Sequence, residues 1–195
     1  MPITRRPGGR TARTRAAVLA AVEAELLDHG VDGLTIDAVA ERSGVHRATV
    51  YRRWRDVGGL LADALAAGRE DDWQPGDHGS LAADLVALNR DVVEHLAGER
   101  SLSRALIVAS YRSPAAAAAL RDFLDDRYRR CEAVVDRAVG RGEAPAGTDA
   151  RRLLVAATAP IYHEILLLGG TVYDALAVRC ATDAARAAAA GVYTS

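Results

Sequence analysis

The residues best suited to chemistry lie between positions 46 and 53, where arginines and small polar groups fall on one side of a short helical pattern. Val45, Val50 and Trp54 are left for a core, and the outward residues are His46, Arg47, Thr49, Arg52 and Arg53. Guanidinium groups on a short, rigidly held helix can contact phosphates and guanine edges in the major groove. The pattern therefore indicates DNA recognition.

Two other clusters contain groups that catalysis uses. Asp91, Glu94 and His95 lie within one helical turn, and His163 adjoins Glu164. Neither cluster recurs in a second copy, as a di-iron carboxylate bundle requires, and no His-x3-His spacing, phosphate-binding glycine loop or nucleophile motif is present. We therefore expect no enzyme, no metal site and no cofactor.

The charge of the 195-residue chain is unevenly distributed. Residues 1–60 carry ten Arg against seven acidic residues, a balance of +3, while the remainder carries fifteen against nineteen, a balance of −4. Such a basic block is typical of a nucleic-acid arm, and a merely solubilising tail is the alternative. The excess is sharpest before Glu23, at Arg5, Arg6, Arg10, Arg13 and Arg15.

Several features favour a cytoplasmic protein. Cys131 and Cys180 are isolated, so they indicate neither a zinc site nor a disulfide scaffold. No export signal is credible, because the N-terminal apolar run is short. The most lipid-like stretch, residues 153–173, is interrupted by Pro160 and by His163, and therefore suggests a buried interface helix and no contact with a membrane.

The elements around residues 46–53 carry clear helix signals. An amphipathic first helix spans residues 12–29 and ends at Gly30. Thr35 is placed to cap a second helix, Gly44 turns the chain before the third, and Asp56 is placed to cap a fourth. The sequence therefore predicts two short helices joined by a tight turn and braced by a longer one.

The remainder of the chain predicts further helices and no strand, so the fold class is all-α, with about nine helices. One side of helix nine is expected to be apolar, and its residues are Tyr173, Leu176, Cys180, Ala184 and Ala187. The expected division begins with a basic arm at residues 1–11 and a helix-turn-helix domain at 12–55. A connecting helix with linker follows at 56–80, and a ligand-binding and dimerisation domain at 81–195.

Helix eight is apolar on two sides, whereas a helix that packs on a single neighbour needs only one apolar side. Helices eight and nine of two subunits are therefore expected to form a four-helix dimer interface, with an internal core helix as the alternative. The residues predicted at this interface are Ile161, Tyr162, Ile165, Leu166, Tyr173, Leu176 and Cys180.

The region from residue 12 to residue 65 resembles the tetracycline-repressor (TetR) family. The resemblance rests on Gly30 and on these motifs: Leu34-Thr35-Ile36, Val39-Ala40, Ser43-Gly44-Val45, Ala48-Thr49-Val50-Tyr51, Trp54 and Leu60-Leu61. The resemblance implies a ligand-responsive repressor, a homodimer whose third helices enter successive major grooves of a palindromic DNA operator and which a small-molecule effector releases.

The resemblance also assigns roles to individual residues. Arg47 and Ala48 stand where the family contacts base edges, and Tyr51 where it contacts base methyls or phosphate. The phosphate contacts implied by the resemblance are those of Thr35, Thr49, Arg52 and Arg53. Arginine matches guanine best, so Arg47 is the predicted base reader, and a phosphate contact is its alternative.

Three features depart from the family pattern. His46 replaces the usual capping Ser, which predicts a poorer cap and a titratable group near the phosphates. Val57 replaces a phosphate-binding lysine, for which the N-terminal arm is expected to compensate. Gly58 and Gly59 predict a soft start to helix four, unless both simply lie in its first turn.

Effector-binding residues are the least defined feature of the sequence. Polar or aromatic groups within apolar helical stretches are candidates for a pocket, although each is also compatible with an ordinary core or surface position. The alternative function is a helical binding module without DNA recognition. The candidate effector residues are Tyr111, Phe123, Tyr128 and His163.

Overall fold

The computed structural model describes residues 9–68, 73–97, 101–171 and 174–194. These residues form nine α-helices and a π-helical turn, and their one β-bridge joins Thr148 to Thr194. The all-α prediction is confirmed. The helices are α1 Arg10–Gly33, α2 Ile36–Ser43, α3 Arg47–Trp54, α4 Val57–Gly68, α5 Leu81–Ala97, α6 Leu102–Ser110, α7 Pro114–Gly140, α8 Ala150–Tyr162 and α9 Asp174–Ala189.

Contacts divide the chain into two compact units. The first unit comprises Met1–Glu70 and Glu99–Arg121 and holds α1 to α4, α6 and the start of α7. The second unit comprises Asp71–Gly98 and Asp122–Ser195 and holds α5, the rest of α7, α8 and α9. The domain boundaries drawn from the sequence stay a prediction.

The helix ends of the first unit follow the predicted turn chemistry. Gly30 has φ 68°, and Gly44 has φ 67° after α2, conformations that a glycine adopts without the cost of a Cβ. Thr35 accepts a hydrogen bond from the Ala38 N–H at 3.0 Å and caps α2. Asp56 accepts from the Gly59 N–H at 2.7 Å and caps α4. The predicted end of α2 and the predicted start of α4 are confirmed, whereas α1 does not stop at Gly30: the chain kinks there and the helical assignment continues to Gly33.

A continuous apolar core holds α3 against its neighbours. Val50 and Trp54 of α3 are buried together with residues of every other helix of the first unit, and full burial of one such side chain contributes about 1.5–3 kcal/mol. The other members include Val18, Val22, Leu26, Ile36, Val39, Leu60, Leu61 and Leu106.

The second unit packs α5, α7, α8 and α9 around a core of leucine, valine and alanine. On α9 the buried face differs from the prediction: it consists of Ala177, Ala181, Ala184 and Ala188, while Leu176, Cys180 and Ala187 are only half-buried. Of the predicted apolar stripe only Ala184 lies in this buried face, because small alanines permit close packing of α9 on α5 and α8.

Helix eight also differs from its predicted length. It is α-helical only as far as Tyr162, and a π-helical turn follows over His163–Leu167 instead of an α-helix to Gly169. Pro160 lies inside the last turn and has no N–H to donate, which disturbs regular α-helical hydrogen bonding there.

Buried polar side chains tie the second unit together, and the apolar pattern did not reveal them. Asn89 is fully buried on α5 and donates from Nδ2 to the carbonyls of Ala157 at 3.1 Å and Ala177 at 2.9 Å. Asp84 is also buried and accepts from the His78 N–H at 2.6 Å. Each of these groups fixes one element to another.

Candidate nucleic-acid interface

The interface is built on two eight-residue helices, α2 and α3, joined through Gly44. Because α3 is only two turns long, its orientation depends on how its ends and its buried side are held. Its buried side carries Val50 and Trp54, which are 0% and 5% exposed. The opposite side of α3 is therefore presented outward on a rigid support.

His46 caps the start of α3. Its Nδ1 accepts a hydrogen bond from the Ala48 N–H at 3.3 Å, so His46 takes over the part that serine would play. A ring nitrogen that accepts must be unprotonated, and the neutral ring then carries its hydrogen on Nε2. The exposed imidazole thus offers one N–H donor beside the first turn of α3.

The outward side of α3 contains the predicted contact residues. Arg47, Ala48, Tyr51 and Arg52 are exposed and lie at positions i, i+1, i+4 and i+5, which is one face of a helix. Thr49 is half-buried and lies to the side of that face. The structure therefore brings the predicted base-edge residues Arg47, Ala48 and Tyr51 together.

Arg53 lies apart from this face. It is exposed, but its guanidinium lies 5.0 Å from the centre of the Trp54 ring, which is a cation–π contact. Thr35, at the start of α2, is exposed as well. Its oxygen accepts the capping hydrogen bond, so its own O–H still has a hydrogen to donate.

Arg47 is engaged on two sides. Its Nε lies 2.6 Å from Oδ1 of Asp37 on α2, and its guanidinium lies 5.3 Å from the centre of the Tyr51 ring. The hydrogen bond with Tyr51 and the charge of Asp37 raise the pKa of Arg47. Sequence reasoning missed Asp37, because only the turn at Gly44 brings residues ten positions apart together.

Arg15, Asp63 and Trp54 brace α3 from behind. Arg15 of α1 donates to the Asp63 carboxylate from Nε at 3.0 Å and from Nη2 at 2.7 Å, and Trp54 Nε1 donates to Oδ2 of Asp63 at 2.8 Å. Burial raises the pKa of Asp63, but these hydrogen bonds outweigh burial, and the pKa lies below its ordinary value. Arg15 is thus part of this brace, whereas the sequence grouped it with the basic block that precedes Glu23.

A second ionic group fastens α1 to α2. Glu25 is buried and pairs with Arg42, which also donates to Asp28 at 2.7 Å, while His29 Nδ1 lies 3.0 Å from Glu25 Oε2. The hydrogen bond from Arg42 lowers the pKa of Glu25 despite the burial. The helix preceding the recognition helix is therefore anchored at its C-terminal end.

The junction between α3 and α4 is tight. Arg55 has φ 63° and ψ −50°, and the Asp56 N–H donates to the Trp54 carbonyl at 2.7 Å, which makes a strained γ-turn. A Cβ on Gly59 would overlap the Trp54 carbonyl oxygen, and one on Gly58 would overlap the Ser113 side chain. Both glycines lie in the first turn of α4, where they permit close packing, and the expected softness stays a prediction.

Two family models match this architecture. The model described as "Bacterial regulatory proteins, tetR family" matches residues 18–64, and the one described as "Tetracyclin repressor-like, C-terminal domain" matches residues 75–184, more than half of the chain. The chain belongs to the TetR family. As a member of this family it is a helix-turn-helix transcriptional regulator and not an enzyme.

Individual TetR-family proteins align over most of the chain. The HTH-type transcriptional regulator AqdR of Rhodococcus erythropolis is 32% identical and covers 84% of this chain and 74% of its own length. The DNA-binding transcriptional repressor TetR of Mycobacteroides abscessus is 30% identical, and the alignment covers 87% of this chain and 91% of that protein. The solved structure of the TetR family transcription regulator SCO0332 superposes with a TM-score of 0.69 at 29% identity, and the match covers 89% of this chain and 97% of SCO0332.

The candidate effector residues of this TetR-family chain fall in different places. Tyr111 belongs to the first unit and is 83% exposed, whereas Phe123, Tyr128 and His163 belong to the second. Phe123 and Tyr128 are half-buried on α7, and burial raises the pKa of Tyr128. His163 is exposed. The structure thus brings only Phe123 and Tyr128 onto one helix.

The candidate dimer residues lie at different depths. Ile161 and Ile165 are buried within the chain's own core, so they are not on its surface. Tyr162 is half-buried, and burial raises its pKa to about 12. Leu166, Leu176 and Cys180 are half-buried, and Tyr173 lies outside the described residues. The exposed apolar residues of α8, the π-helical turn and α9 are instead Val155, Leu167 and Val178.

Neither a membrane-spanning helix nor a metal site occurs within the described ranges. No helix there has the length and apolarity needed to cross a membrane. No group of three or more His, Cys, Asp or Glu side chains in the same ranges is arranged to hold a metal ion.

Proposed function

We propose that this TetR-family regulator is a ligand-responsive repressor that acts in the cytoplasm and binds a palindromic DNA operator as a homodimer. The observation that carries the proposal is the exposed face of α3, where Arg47, Ala48, Tyr51 and Arg52 lie together above a buried Val50 and Trp54. Repression is supported by the similarity to the Mycobacteroides abscessus relative, a DNA-binding transcriptional repressor.

Each residue of the face has a proposed role. Arg47 binds N7 and O6 of a guanine, a contact worth about 1–3 kcal/mol of discrimination when it is bidentate. Ala48 and Tyr51 contact neighbouring base edges or methyl groups. The phosphate contacts are those of Thr35, His46 through Nε2, Thr49, Arg52 and Arg53, and they position α3 without specifying sequence.

Selection of bound duplexes from a random DNA pool tests this proposal. A palindromic sequence is the expected product, because two copies related by twofold symmetry place two α3 helices about 34–36 Å apart. Arg47→Ala should relax the preference at one base pair of each half-site. Enrichment of no sequence would reject the repressor and favour a helical binding module without DNA function.

Salt dependence separates base contacts from phosphate contacts. Arg52→Ala should weaken binding to every sequence and reduce the slope of log affinity against log salt by about one unit. Arg186 is the matched control, because its side chain is 78% exposed on α9 in the second unit. An equal loss of slope in Arg186→Ala would show that general charge, and not a local contact, causes the effect.

We place the dimer interface on the exposed sides of α8 and α9. Val155, Leu167 and Val178 are 40%, 71% and 36% exposed, and Leu176 and Cys180, which lie on a different face of α9 from Val178, are half-buried. Val178→Glu should convert dimers to monomers in sedimentation velocity and abolish binding to the palindrome. Val192→Glu is the control, since Val192 is 56% exposed beyond the end of α9.

We place effector binding in the second unit, near Phe123 and Tyr128. The SmeT–triclosan complex, in which that protein binds a small molecule, has the same fold, with a TM-score of 0.55 at 20% identity. A thermal-shift screen of aliphatic and aromatic compounds tests the idea, because a ligand at 100 times its Kd stabilises the native state by about 2.7 kcal/mol. Tyr128→Ala should abolish the rise in melting temperature that a binding compound causes in the wild-type protein.

The N-terminal arm is proposed to supply phosphate contacts in place of the family lysine that Val57 replaces. Residues 1–8 lie outside the described ranges, so the proposal rests on Arg5, Arg6 and Arg10 in the sequence. Deletion of residues 2–10 should lower operator affinity at physiological salt. Unchanged affinity would remove the arm from the interface.

A further inference from the structure

A carboxylate lies beside the proposed base reader. Asp37 and Arg47 form an ion pair with 2.6 Å between Oδ1 and Nε, and both side chains are more than half exposed, at 55% and 62%. The two residues line the same open groove between α2 and α3, together with Glu41. An acidic group at a surface that meets phosphates is unfavourable for affinity, so its presence there requires a separate reason.

The ion pair changes how Arg47 responds to DNA. An unpaired guanidinium is attracted to any phosphate, whatever the sequence, and this attraction supplies non-specific binding. A neighbouring carboxylate cancels most of that attraction, because the pair has no net charge. Hydrogen bonding to a guanine edge survives, since it depends on the positions of N–H donors, of which a guanidinium has five in a planar fork.

The guanidinium is also restrained weakly from two directions. Asp37 approaches at Nε, while the Tyr51 ring lies 5.3 Å from the guanidinium carbon. Long side chains lose rotamer entropy when they are ordered on binding, and a side chain already held in place loses less. Exposed ion pairs are weak, so Arg47 can still adjust to a base edge.

We propose that Asp37 is a specificity-determining residue that acts through Arg47, which it positions for a guanine edge and shields from phosphates of arbitrary sequence. This inference rests on the proposed function, because it requires α3 to contact bases. Asp37 does not itself contact the operator in this arrangement. Its removal should therefore strengthen binding to random DNA while it weakens discrimination.

Glu41 provides a matched control for Asp37. It is exposed on α2, one helical turn further along, and lines the same groove. Among the described residues it forms no ion pair with Arg47 or any other cation. Asp37→Asn and Glu41→Gln thus make the same change in charge on one helix, and only the first removes the partner of Arg47.

The experiment measures affinities of the full chain for the selected palindrome, for the palindrome with the guanine pair changed, and for random duplex. Asp37→Asn should raise affinity for random DNA severalfold and reduce the ratio of palindrome to random affinity by about tenfold. Glu41→Gln should raise both affinities equally and leave the ratio unchanged. Thermal melts of both variants show whether either substitution affects folding.

The Arg47→Ala background shows whether the effect passes through Arg47. In that background Asp37→Asn should alter the ratio no more than Glu41→Gln does. If the palindrome-to-random ratio falls equally for Asp37→Asn and Glu41→Gln in the wild-type background, this inference is overturned. The proposed function still stands in that case, provided that the wild-type protein selects a palindrome and that Arg47→Ala relaxes its base preference. Selection of no sequence overturns the proposed function together with the inference.

Discussion

The two units of the molecule assign roles to their residues in different ways. In the first unit, α2 and α3 are eight residues long, and single residues such as Thr35, Gly44 and Asp56 define where helices begin and end. In the second unit, α7 is 27 residues long, and buried polar groups such as Asn89 connect one helix to others distant in sequence. Local chemistry sets the helix ends in the first unit, and long-range contacts of buried polar groups join the helices of the second.

The difference shows where an alanine-rich sequence is informative. Alanine favours a helix but contributes little preference for the buried or the exposed side, so it does not fix the rotation of a long helix. On α9 the apolar stripe through Leu176 and Cys180 does not coincide with the buried alanine face for this reason, whereas on α3 Val50 and Trp54 leave no such ambiguity. The two tryptophans, Trp54 and Trp73, lie one in each unit and can report on them separately.

The largest effect is expected from Asn89→Asp in the second unit. The variant places an acceptor where Nδ2 donates to two carbonyls, and a buried carboxylate without a partner costs about 3–5 kcal/mol. Urea unfolding followed by Trp73 fluorescence, in a Trp54→Phe background, measures the loss. Asn89→Ala should lower the free energy of unfolding by less. If Asn89→Asp leaves the unfolding midpoint unchanged, the hydrogen bonds of Asn89 to α8 and α9 do not stabilise the second unit.

Gly59→Ala should have the next largest effect, in the first unit. The new Cβ overlaps the Trp54 carbonyl oxygen, so the γ-turn must shift, at about 1–3 kcal/mol for such overpacking. Gly140→Ala is the control at the end of α7, where a Cβ would meet nothing within 4 Å. Thermal unfolding should show a lower melting temperature for Gly59→Ala than for Gly140→Ala. Equal melting temperatures would contradict the predicted overlap at Gly59.

Asp63→Asn should lower the stability of the first unit by about 1–2 kcal/mol near neutral pH, because the charged hydrogen bonds from Arg15 weaken. The pKa of Asp63 is lowered in the folded protein, so its stabilisation is present above the ordinary carboxyl pKa and is lost as pH falls through the folded value. Unfolding measured between pH 7 and pH 3 should show the two proteins converging in acid. A constant difference would exclude this linkage.

The smallest effect is expected from His46→Ser at the start of α3. A serine oxygen is a better cap than the imidazole Nδ1, which accepts at 3.3 Å, so stability should rise by about 0.5 kcal/mol. Asp149→Ala removes the corresponding cap of α8, whose carboxylate accepts from the Arg152 N–H at 3.0 Å, and should lose about 1 kcal/mol. Guanidinium unfolding of the two variants compares capping in the two units.

Much of the candidate interface could be predicted before any coordinates, and its electrostatic partners could not. The exposure of Arg47, Ala48, Tyr51 and Arg52 follows from the helical period once Val50 and Trp54 are buried. The pairing of Asp37 with Arg47 depends on the angle at which two helices meet. No local pattern encodes that angle.

The ligand-binding and dimer predictions were less complete for a related reason. Phe123 and Tyr128 belong to α7 of the second unit, but Tyr111 lies in the first unit, because α6 and the start of α7 pack there. Ile161 and Ile165 are apolar enough for either an interface or a core, and only packing places them in the core. Hydrophobicity alone does not distinguish the two kinds of burial.

The sequence by itself determined the helices, their caps, the turn at Gly44 and the outward face of α3, because these depend on neighbours within about one helical turn. Only the tertiary structure decided that Arg15 braces Asp63 and Trp54, that Asn89 joins three helices, and that Asp37 holds Arg47. These contacts join residues on different helices, and the geometry of helix packing, which local spacing leaves undetermined, brings them together.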